Sequence, residues 1–258
     1  MYLSPRRTSK LIRTDDGSLT LRHPEVGEAY HSLDGADTET RFKFIEPSRL
    51  KERLETESVR LLDVGFGLGL NCRAALAVTA SFPLQIDSLE TETQALDRGL
   101  LLFPEDPLLL QLKATGQYQV ETKRVDLHLG DVRQTIQHLQ GPYDLIFHDP
   151  FSPNRNSECW TVDLFAHFFQ RLKPDGALLT YSQSKMVRMA LQEAGFIVQD
   201  THAPSPHRGG TIALKQGEGL ILESTPPFRD PTLSASGHDI RSQREAEVRA
   251  LREKPRTS

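Results

Sequence analysis

An aspartate stands at the end of an apolar run, where the chain is then forced to turn. The run Tyr143–Phe147 is typical of a buried strand, and His148, Asp149 and the segment Pro150–Pro153 follow it. Proline has no amide hydrogen for a strand ladder, so the two prolines indicate that the chain leaves the sheet directly after Asp149. A carboxylate placed there can accept a proton, which makes Asp149 a candidate catalytic residue; its alternative role is to cap the turn.

A glycine-rich loop is the second feature that could do chemistry. Residues 61–71 read LLDVGFGLGLN, with Gly65, Gly67 and Gly69 between a predicted strand and a predicted helix. Glycines let the backbone turn sharply and approach a ligand closely, and the helix N-terminus that follows favours anionic groups. The G-x-G-x-G spacing differs from the G-x-G-x-x-G of dinucleotide-binding folds. A tight packing turn without any ligand is the alternative.

The elements that must position these residues alternate between strands and helices, which predicts an α/β fold with a mostly parallel sheet. We predict strands at residues 59–64, 84–90, 124–131, 143–149 and 176–182, and an antiparallel pair at 196–200 and 210–215. A helix-and-loop insertion is expected to run through to Tyr118.

The chain divides into three parts on composition and pattern. An N-terminal extension over residues 1–57, on the substrate side, carries a predicted hairpin at 10–23 around Asp16 and Gly17. The α/β domain covers residues 58–225. A tail rich in Pro, Ser and Arg covers 226–258 and is expected to be flexible, with a weak polar helix near its end.

Composition narrows the class of protein. The 258 residues carry a net charge of −4 and no run of eighteen apolar residues, so we predict no transmembrane helix. The N-terminus lacks the apolar core of a secretory signal. Cys72 and Cys159 form no CxxC motif, which favours free thiols in a reducing cytoplasm and no metal site. A nucleic-acid partner stays open, because basic residues cluster near the N-terminus: Arg6, Arg7, Lys10 and Arg13.

The glycine loop, taken with acids at later strand ends, resembles the first motif of class I S-adenosyl-L-methionine-dependent methyltransferases, which have a Rossmann-like sheet with an antiparallel last strand. The resemblance implies that the loop binds the amino-acid end of the cofactor, that Glu90 binds the ribose hydroxyls and that Asp131 reaches the adenine amine. The cofactor contacts expected from it are Asp63, Gly65, Phe66, Gly67, Gly69, Asn71, Glu90, Asp131 and Asp149.

Three further segments resemble the methyltransferase domain of the MnmC-type tRNA 5-methylaminomethyl-2-thiouridine biosynthesis family. They are residues 16–21, 27–45 and 148–165, within a resemblance over roughly 14–215. The matches to the pattern D-G-F-A-P-x-K-N-P-x-x-W-T are Asp149, Phe151, Pro153, Asn156, Trp160 and Thr161, whereas Pro150 and Arg155 depart from it. Larger relatives carry a fused flavin-dependent oxidase domain. The 258 residues are too few to hold that domain as well, so the stand-alone form of the methyltransferase is expected.

The resemblance implies N-methylation of 5-aminomethyl(-2-thio)uridine at the wobble position of tRNA. An aliphatic ammonium has a pKa near that of lysine, about 10, so it must lose a proton before it can attack, and Asp149 is expected to accept that proton. Enzymes that make the aminomethyl group are expected functional partners. The residues expected to bind substrate are Tyr30, His31, Ser32, Glu39, Phe151, Arg155 and Arg208. For Tyr30 and His31, surface packing is an equal alternative.

Two other functions stay open from the residues alone. An aminopropyltransferase of the spermidine synthase type shares the fold and also places an aspartate after the fourth strand. It would need a further acid for the far ammonium, and residues 149–156 contain no second carboxylate. A non-catalytic RNA-binding protein with the same fold is the other alternative, and the intact glycine loop together with Asp149 argues against it.

Overall fold

The computed structural model of the chain describes residues 9–79, 81–204, 207–222 and 225–253. Its strands are, in chain order, β1 Lys10–Arg13, β2 Leu19–Arg22, β3 Val59–Val64, β4 Leu84–Glu90, β5 Gln117–Val120, β6 Lys123–Leu129, β7 Tyr143–His148, β8 Leu172–Thr180, β9 Ile197–Asp200 and β10 Thr211–Leu214. Its α-helices are α1 Ala36–Thr40, α2 Glu46–Ser48, α3 Leu50–Leu54, α4 Leu70–Ala77, α5 Gln94–Leu102, α6 Pro107–Thr115, α7 Val132–His138, α8 Val162–Arg171, α9 Lys185–Glu193 and α10 Gly237–Glu253.

The central sheet has the order β5-β6-β4-β3-β7-β8-β10-β9 among the residues described. Strands β6, β4, β3, β7 and β8 are parallel, whereas β10 is antiparallel to both β8 and β9. This order confirms the predicted α/β class with its antiparallel last strand. The insertion was predicted to hold no strand, but Gln117–Val120 pairs antiparallel with β6; its partly polar sequence, QYQV, carries little strand signal.

The sheet is buried on both faces, which explains why its central strands are almost continuously apolar. All six residues of β7 are buried. Ile146 packs into one hydrophobic cluster, and its neighbours Leu145 and Phe147 pack into the other, as the two-residue period of a strand requires. The central strands therefore end at one enclosed edge, where their terminal side chains can meet.

The N-terminal extension contains the predicted hairpin, with Lys10 opposite Arg22 in the antiparallel pair β1–β2. Asp16 in its turn accepts hydrogen bonds from the amide and hydroxyl of Thr38, at 3.0 and 2.8 Å, and so fixes the hairpin to α1. A π-helical turn, Arg41–Ile45, follows α1 and buries Phe44 in the core beneath the sheet. The extension is thus packed onto the α/β domain rather than standing apart from it.

Residues 225–253 differ from the flexible tail predicted for residues 226–258, of which residues 254–258 lie outside the described ranges. Phe228, Leu233 and Ile240 are buried in the same cluster as Trp160 and Phe165. The carbonyl of Phe228 accepts a 3.0 Å hydrogen bond from the amide of Val162. The polar composition hides this packing, because the apolar anchors are few and widely spaced. The predicted polar helix is present as α10.

Two findings concern the described ranges, residues 9–79, 81–204, 207–222 and 225–253. None of the helices in these ranges is both long and apolar enough to cross a membrane. Cys72 and Cys159 are buried free thiols.

We expect Phe228→Ala to destabilise the protein by about 3–5 kcal/mol, the usual cost of removing a buried phenylalanine side chain. Phe228 is 2% exposed, whereas Ile221 is fully exposed, so Ile221→Ala is the matched control and should change stability by less than about 0.5 kcal/mol. Denaturant unfolding measures both. An effect of Phe228→Ala as small as that of the control would show that residues from 225 onward do not pack on the domain.

Candidate functional site

A cavity of about 600 Å³ lies where the C-terminal ends of β3, β4, β6 and β7 face the N-terminal extension. Its volume is within the range of small-molecule sites, about 300–1,000 Å³. Most of the residues proposed from the sequence line it, namely Tyr30, His31, Ser32, Glu39, Gly65, Phe66, Gly67, Asn71, Glu90, Asp131, Asp149, Phe151 and Arg155. The sequence therefore predicted the location of the cavity.

The glycine loop needs its glycines for two separate reasons. Gly65, Gly67 and Gly69 have φ values of 90°, 55° and 83°, a backbone region that other residues rarely adopt. In addition, a Cβ on Gly65 would lie 2.9 Å from the carbonyl oxygen of Asp149, closer than real Cβ contacts allow. The loop after β3 thus lies directly against the backbone after β7.

Glu90, at the end of β4, is held by backbone amides. Its carboxylate accepts hydrogen bonds from the amides of Gly67, Thr91 and Glu92 at 2.7–2.8 Å. Burial raises the pKa of Glu90, and these donors oppose that rise. The carboxylate is fixed beside the glycine loop, where it can accept hydroxyl hydrogen bonds from a ligand.

Asp131 caps the start of α7 and is paired with an arginine. Its carboxylate accepts hydrogen bonds from the Arg133 amide at 2.9 Å and from the Arg133 guanidinium at 2.6 Å. Burial acts to raise the pKa of Asp131, but the hydrogen bonds and charge of Arg133 hold it below the usual range. Asp131 is therefore an ionised acceptor at neutral pH in the lining of the cavity.

Asp149 lines the cavity directly after the end of β7. Its amide donates to the carbonyl of Val64 at 2.9 Å, and its carboxylate accepts a 2.8 Å hydrogen bond from the side chain of Asn71. Desolvation and the nearby charge of Glu39 raise the pKa of Asp149 well above its usual value. A carboxylate with a raised pKa is a better proton acceptor than a free one.

The turn after Asp149 is fixed by hydrogen bonds as well as by its prolines. The Tyr181 hydroxyl donates to the Pro150 carbonyl at 3.0 Å, and the Trp160 indole donates to the Phe151 carbonyl at 2.8 Å. The Ser152 hydroxyl donates to Glu28 of the extension at 2.6 Å. Trp160 is completely buried, so it packs in the core while its indole hydrogen bond orients the turn.

An aromatic wall connects this turn to the extension. The Phe151 ring lies 5.1 Å from Tyr30 and 5.3 Å from His23, centroid to centroid. The His23 Nδ1 accepts two backbone hydrogen bonds, so its proton is on Nε2 and is directed at Glu92, 2.9 Å away. Arg98 donates to the Tyr30 hydroxyl at 2.9 Å. Tyr30 thus lines the cavity, where it packs against Phe151 and accepts a hydrogen bond from Arg98.

His31 and Glu39 bring further polar groups to the same wall. His31 is hydrogen-bonded to Thr20 at 3.1 Å, and burial lowers the pKa of its imidazole to about 4. Glu39 accepts from the Ser32 amide at 2.6 Å and from Lys43 at 2.7 Å. Glu39 is therefore a fixed, lysine-paired carboxylate close to Asp149.

Three residues proposed from the sequence do not line the cavity. Asp63 is buried behind the wall, where it accepts hydrogen bonds from Ser88 at 2.7 Å and from Cys72 at 3.3 Å. Gly69 caps α4 and packs against Phe66. Arg208 is exposed on the surface. Among the basic residues of the N-terminus, Lys10 and Arg13 are exposed, and Arg6 and Arg7 lie outside the described residues.

Several cavity residues were missed from the sequence: His23, Glu28, Glu92, Ser152 and Tyr181. Tyr181 directly follows β8, so the rule that ligands meet the carboxyl ends of parallel strands would have found it. The others carry no local signal. No group of three or more histidine, cysteine, aspartate or glutamate side chains within the described ranges is arranged to hold a metal ion.

Comparison with known proteins gives three informative matches. A family model described as S-adenosyl-L-methionine-dependent methyltransferase matches residues 104–216. An uncharacterized protein of Methanocaldococcus jannaschii is 30% identical, over 95% of this chain and 74% of its own length. The crystal structure of MnmC2 from Aquifex aeolicus matches with a TM-score of 0.81 at 31% identity, over 96% of this chain and 88% of that one.

A longer relative is also similar. The tRNA 5-methylaminomethyl-2-thiouridine biosynthesis bifunctional protein MnmC of Burkholderia vietnamiensis is 27% identical over 79% of this chain. The match covers 34% of that protein, so the chain spans about a third of the bifunctional relative.

We expect Gly65→Ala to be more destabilising than Gly17→Ala, although the two glycines have nearly the same φ, 90° and 83°. A Cβ on Gly17 meets nothing within 4 Å, so that variant isolates the cost of the backbone conformation, about 1–3 kcal/mol. Gly65→Ala adds the overlap with Asp149, worth about 1–3 kcal/mol more. Denaturant unfolding of both variants measures the difference. Equal losses would mean that the two loops are not in tight contact.

Proposed function

Because the chain belongs to the MnmC family of S-adenosyl-L-methionine-dependent methyltransferases, we propose that it methylates the exocyclic amine of 5-aminomethyluridine, or of its 2-thio form, at the wobble position of tRNA. The product is the 5-methylaminomethyl nucleoside. The protein is an enzyme, and its cofactor is S-adenosyl-L-methionine.

The residues of the cavity fit this cofactor. Gly65 and Gly67 of the glycine loop line the cavity together with Glu90. The fixed carboxylate of Glu90 can accept hydrogen bonds from the two ribose hydroxyls. Asp131 offers an ionised acceptor for an adenine amine. When bound, the cofactor supplies an electrophilic methyl group on a sulfonium. The protein's part is to place an amine in line with that methyl group, an effect worth up to about 7–11 kcal/mol in favourable cases.

The position of Asp149 is the observation that carries the proposal. An alkylammonium, with a pKa near 10, has no lone pair for attack, so the site must remove a proton from it. Asp149 is next to the glycine loop, is oriented by Asn71 and has a raised pKa. It is suited to accept the ammonium proton as the nitrogen turns towards the methyl group. Glu39 adds a second negative charge that attracts a cationic amine.

The uracil ring is proposed to pack against the aromatic wall beside Asp149. The Phe151 and Tyr30 rings line the cavity with their centroids 5.1 Å apart, and base–aromatic stacking contributes about 1–3 kcal/mol per base. His31 and Ser32, on the same wall, would contact the base or ribose. The wobble nucleotide has to leave its stack to enter, as in other enzymes that modify a base.

Contact with the tRNA backbone requires basic residues near the cavity, because the net charge of −4 gives no general attraction to RNA. Arg155 lines the cavity, its side chain is 58% exposed, and it forms a long ion pair of 3.8 Å with Glu28. It can exchange that pair for a phosphate of the anticodon region. Lys10, Arg13 and Arg208 are exposed and could add further contacts. A cytoplasmic location follows from the proposed substrate.

An enzyme that creates the primary aminomethyl group has to act before this one. The direct test is to incubate the protein with labelled S-adenosyl-L-methionine and tRNA that lacks only the final methyl group, and to analyse the nucleosides by mass spectrometry. We expect one methyl group on the aminomethyluridine and none on tRNA with an unmodified wobble uridine. Cofactor binding without transfer would contradict the proposal. Alkylation of a polyamine by decarboxylated cofactor would instead support the aminopropyltransferase alternative.

Asp149→Asn is expected to lower kcat by roughly 10²–10⁴, the usual contribution of a positioned proton acceptor. The amide keeps the shape of the side chain but cannot take the ammonium proton, so cofactor affinity should change little and saturating cofactor should not restore the rate. Asp97→Asn, at an exposed ion pair with Lys113, is the control and should keep its kcat. A kcat near the wild-type value would mean that the amine is deprotonated elsewhere.

Glu39→Gln is expected to shift the acidic limb of the kcat/KM profile for tRNA to lower pH. Asp149 can accept a proton only when ionised, so the rate falls as pH falls through its pKa. The Glu39 charge helps raise that pKa, and its removal lets Asp149 ionise at lower pH. Glu46→Gln, an exposed acid of α2, should leave the limb in place. A limb that stays in place or moves to higher pH in Glu39→Gln would exclude the electrostatic coupling.

A further inference from the structure

Arg133 connects the cavity to the C-terminal segment, which we define as residues 225–240. Its guanidinium donates to Asp131 from Nε at 3.0 Å and from Nη2 at 2.6 Å. Its Nη1 donates in the other direction, to the carboxylate of Asp230 at 2.9 Å and to the carbonyl of Ala235 at 2.7 Å. Arg133 is largely buried, so its position is set by these four contacts.

Asp230 is a fixed anchor for this arginine. Its side chain is completely buried, and a buried charge is tolerated only when it is paired and hydrogen-bonded. One carboxylate oxygen accepts from the amides of Ser234 and Ala235, both at 3.2 Å, and the other accepts from Arg133. The Asp230 amide donates to Asp163 at 2.7 Å. The carboxylate therefore cannot rotate away from Arg133 without breaking several bonds.

The C-terminal segment also supports the cavity wall beside Asp131. The Ser157 hydroxyl donates to the carbonyl of Gly237 at 2.9 Å and lies 2.9 Å from the guanidinium of Arg241. The residues that follow Ser157, Glu158 and Cys159, line the cavity together with Asp131. The segment thus holds this end of the cavity at two places, through Arg133 and through Ser157.

We propose that Asp230 is a positioning residue for cofactor recognition: through Arg133 it orients Asp131 so that the Asp131 carboxylate accepts a hydrogen bond from the adenine amine. Oδ1 of Asp131 already accepts hydrogen bonds from the amide and the Nε of Arg133, at 2.9 and 3.0 Å, so the lone pair for a ligand lies on Oδ2, whose main donor is Nη2 at 2.6 Å. Without the Asp230 carboxylate, Arg133 keeps only the Ala235 carbonyl as a partner in the C-terminal segment, and Asp131 is free to move with it. The family model ends at residue 216, so it does not include this segment.

The proposal rests on the proposed placement of the adenine ring at Asp131, but not on the identity of the methyl acceptor. Calorimetry with the full chain can therefore test it without tRNA. The probes are S-adenosyl-L-homocysteine and its inosine counterpart, in which an oxygen replaces the adenine amine. A lost hydrogen bond to a charged group costs about 1.5–3 kcal/mol, so we expect the wild type to prefer the adenosyl compound by roughly 10–100-fold.

Asp230→Asn should reduce that preference to about 3-fold or less, chiefly by weakening the adenosyl compound. Arg133→Lys cannot bridge Asp131 and Asp230, so it should reduce the preference for the adenosyl compound in the same way. It tests the proposal if Asp230→Asn does not fold. Arg229→Gln is the matched control: its residue neighbours Asp230 but pairs with Glu193 at the surface, so its preference should equal the wild type.

Two results would overturn the proposal. A wild-type preference in the folded variants would show that Asp230 does not act at the adenine end. Equal weakening of both compounds would show a general loss of stability rather than a loss of adenine recognition. Failure of tRNA methylation would count against the proposed function but would leave these affinities to be read independently.

Discussion

The contact between the glycine loop and the backbone after β7 is the constraint on which the site depends. The two loops meet so closely that a single Cβ on Gly65 would collide with the Asp149 carbonyl, 2.9 Å away. This contact sets the glycine loop and the candidate proton acceptor side by side, and the side chain of Asn71, at the start of α4, donates a hydrogen bond to the Asp149 carboxylate. The chemistry proposed here requires the amine and the methyl group to be in line, and the packing of the two strand ends supports it by placing the glycine loop next to Asp149.

The N-terminal extension completes a site that the sheet alone would leave open. The extension supplies the Tyr30 ring, and Glu28 fixes the turn after Asp149. The extension also supplies Glu39, whose negative charge, together with desolvation, raises the pKa of Asp149. Substrate binding and proton transfer are thus proposed to depend on residues more than a hundred positions apart in the chain, which pack into one cavity.

Each acid of the site is held by different contacts, and those contacts suit its proposed role. Backbone amides fix Glu90, which suits an unchanging contact with hydroxyl groups. Arg133 keeps Asp131 ionised, which suits an acceptor for an amine. Asp149 has one neutral amide donor and a like charge nearby, which suits a group that must gain and lose a proton. Environment, rather than residue type, distinguishes these three carboxylates.

The sequence by itself determined the α/β class, the hairpin, the glycine loop and the location of Asp149 at a strand end, because periodicity and turn chemistry act over a few neighbouring residues. Tertiary structure alone decided which acids face the cavity: Asp63 lies two residues before Gly65, yet strand alternation and packing turn it away, towards Ser88 and Cys72. Tertiary structure also decided that residues 225–240 pack on the domain. Their polar composition predicts a flexible tail, but three spaced apolar side chains and the Arg133–Asp230 pair, 97 residues apart in sequence, fix them to the domain. No local pattern encodes such contacts, since their free energy appears only when distant segments pack together.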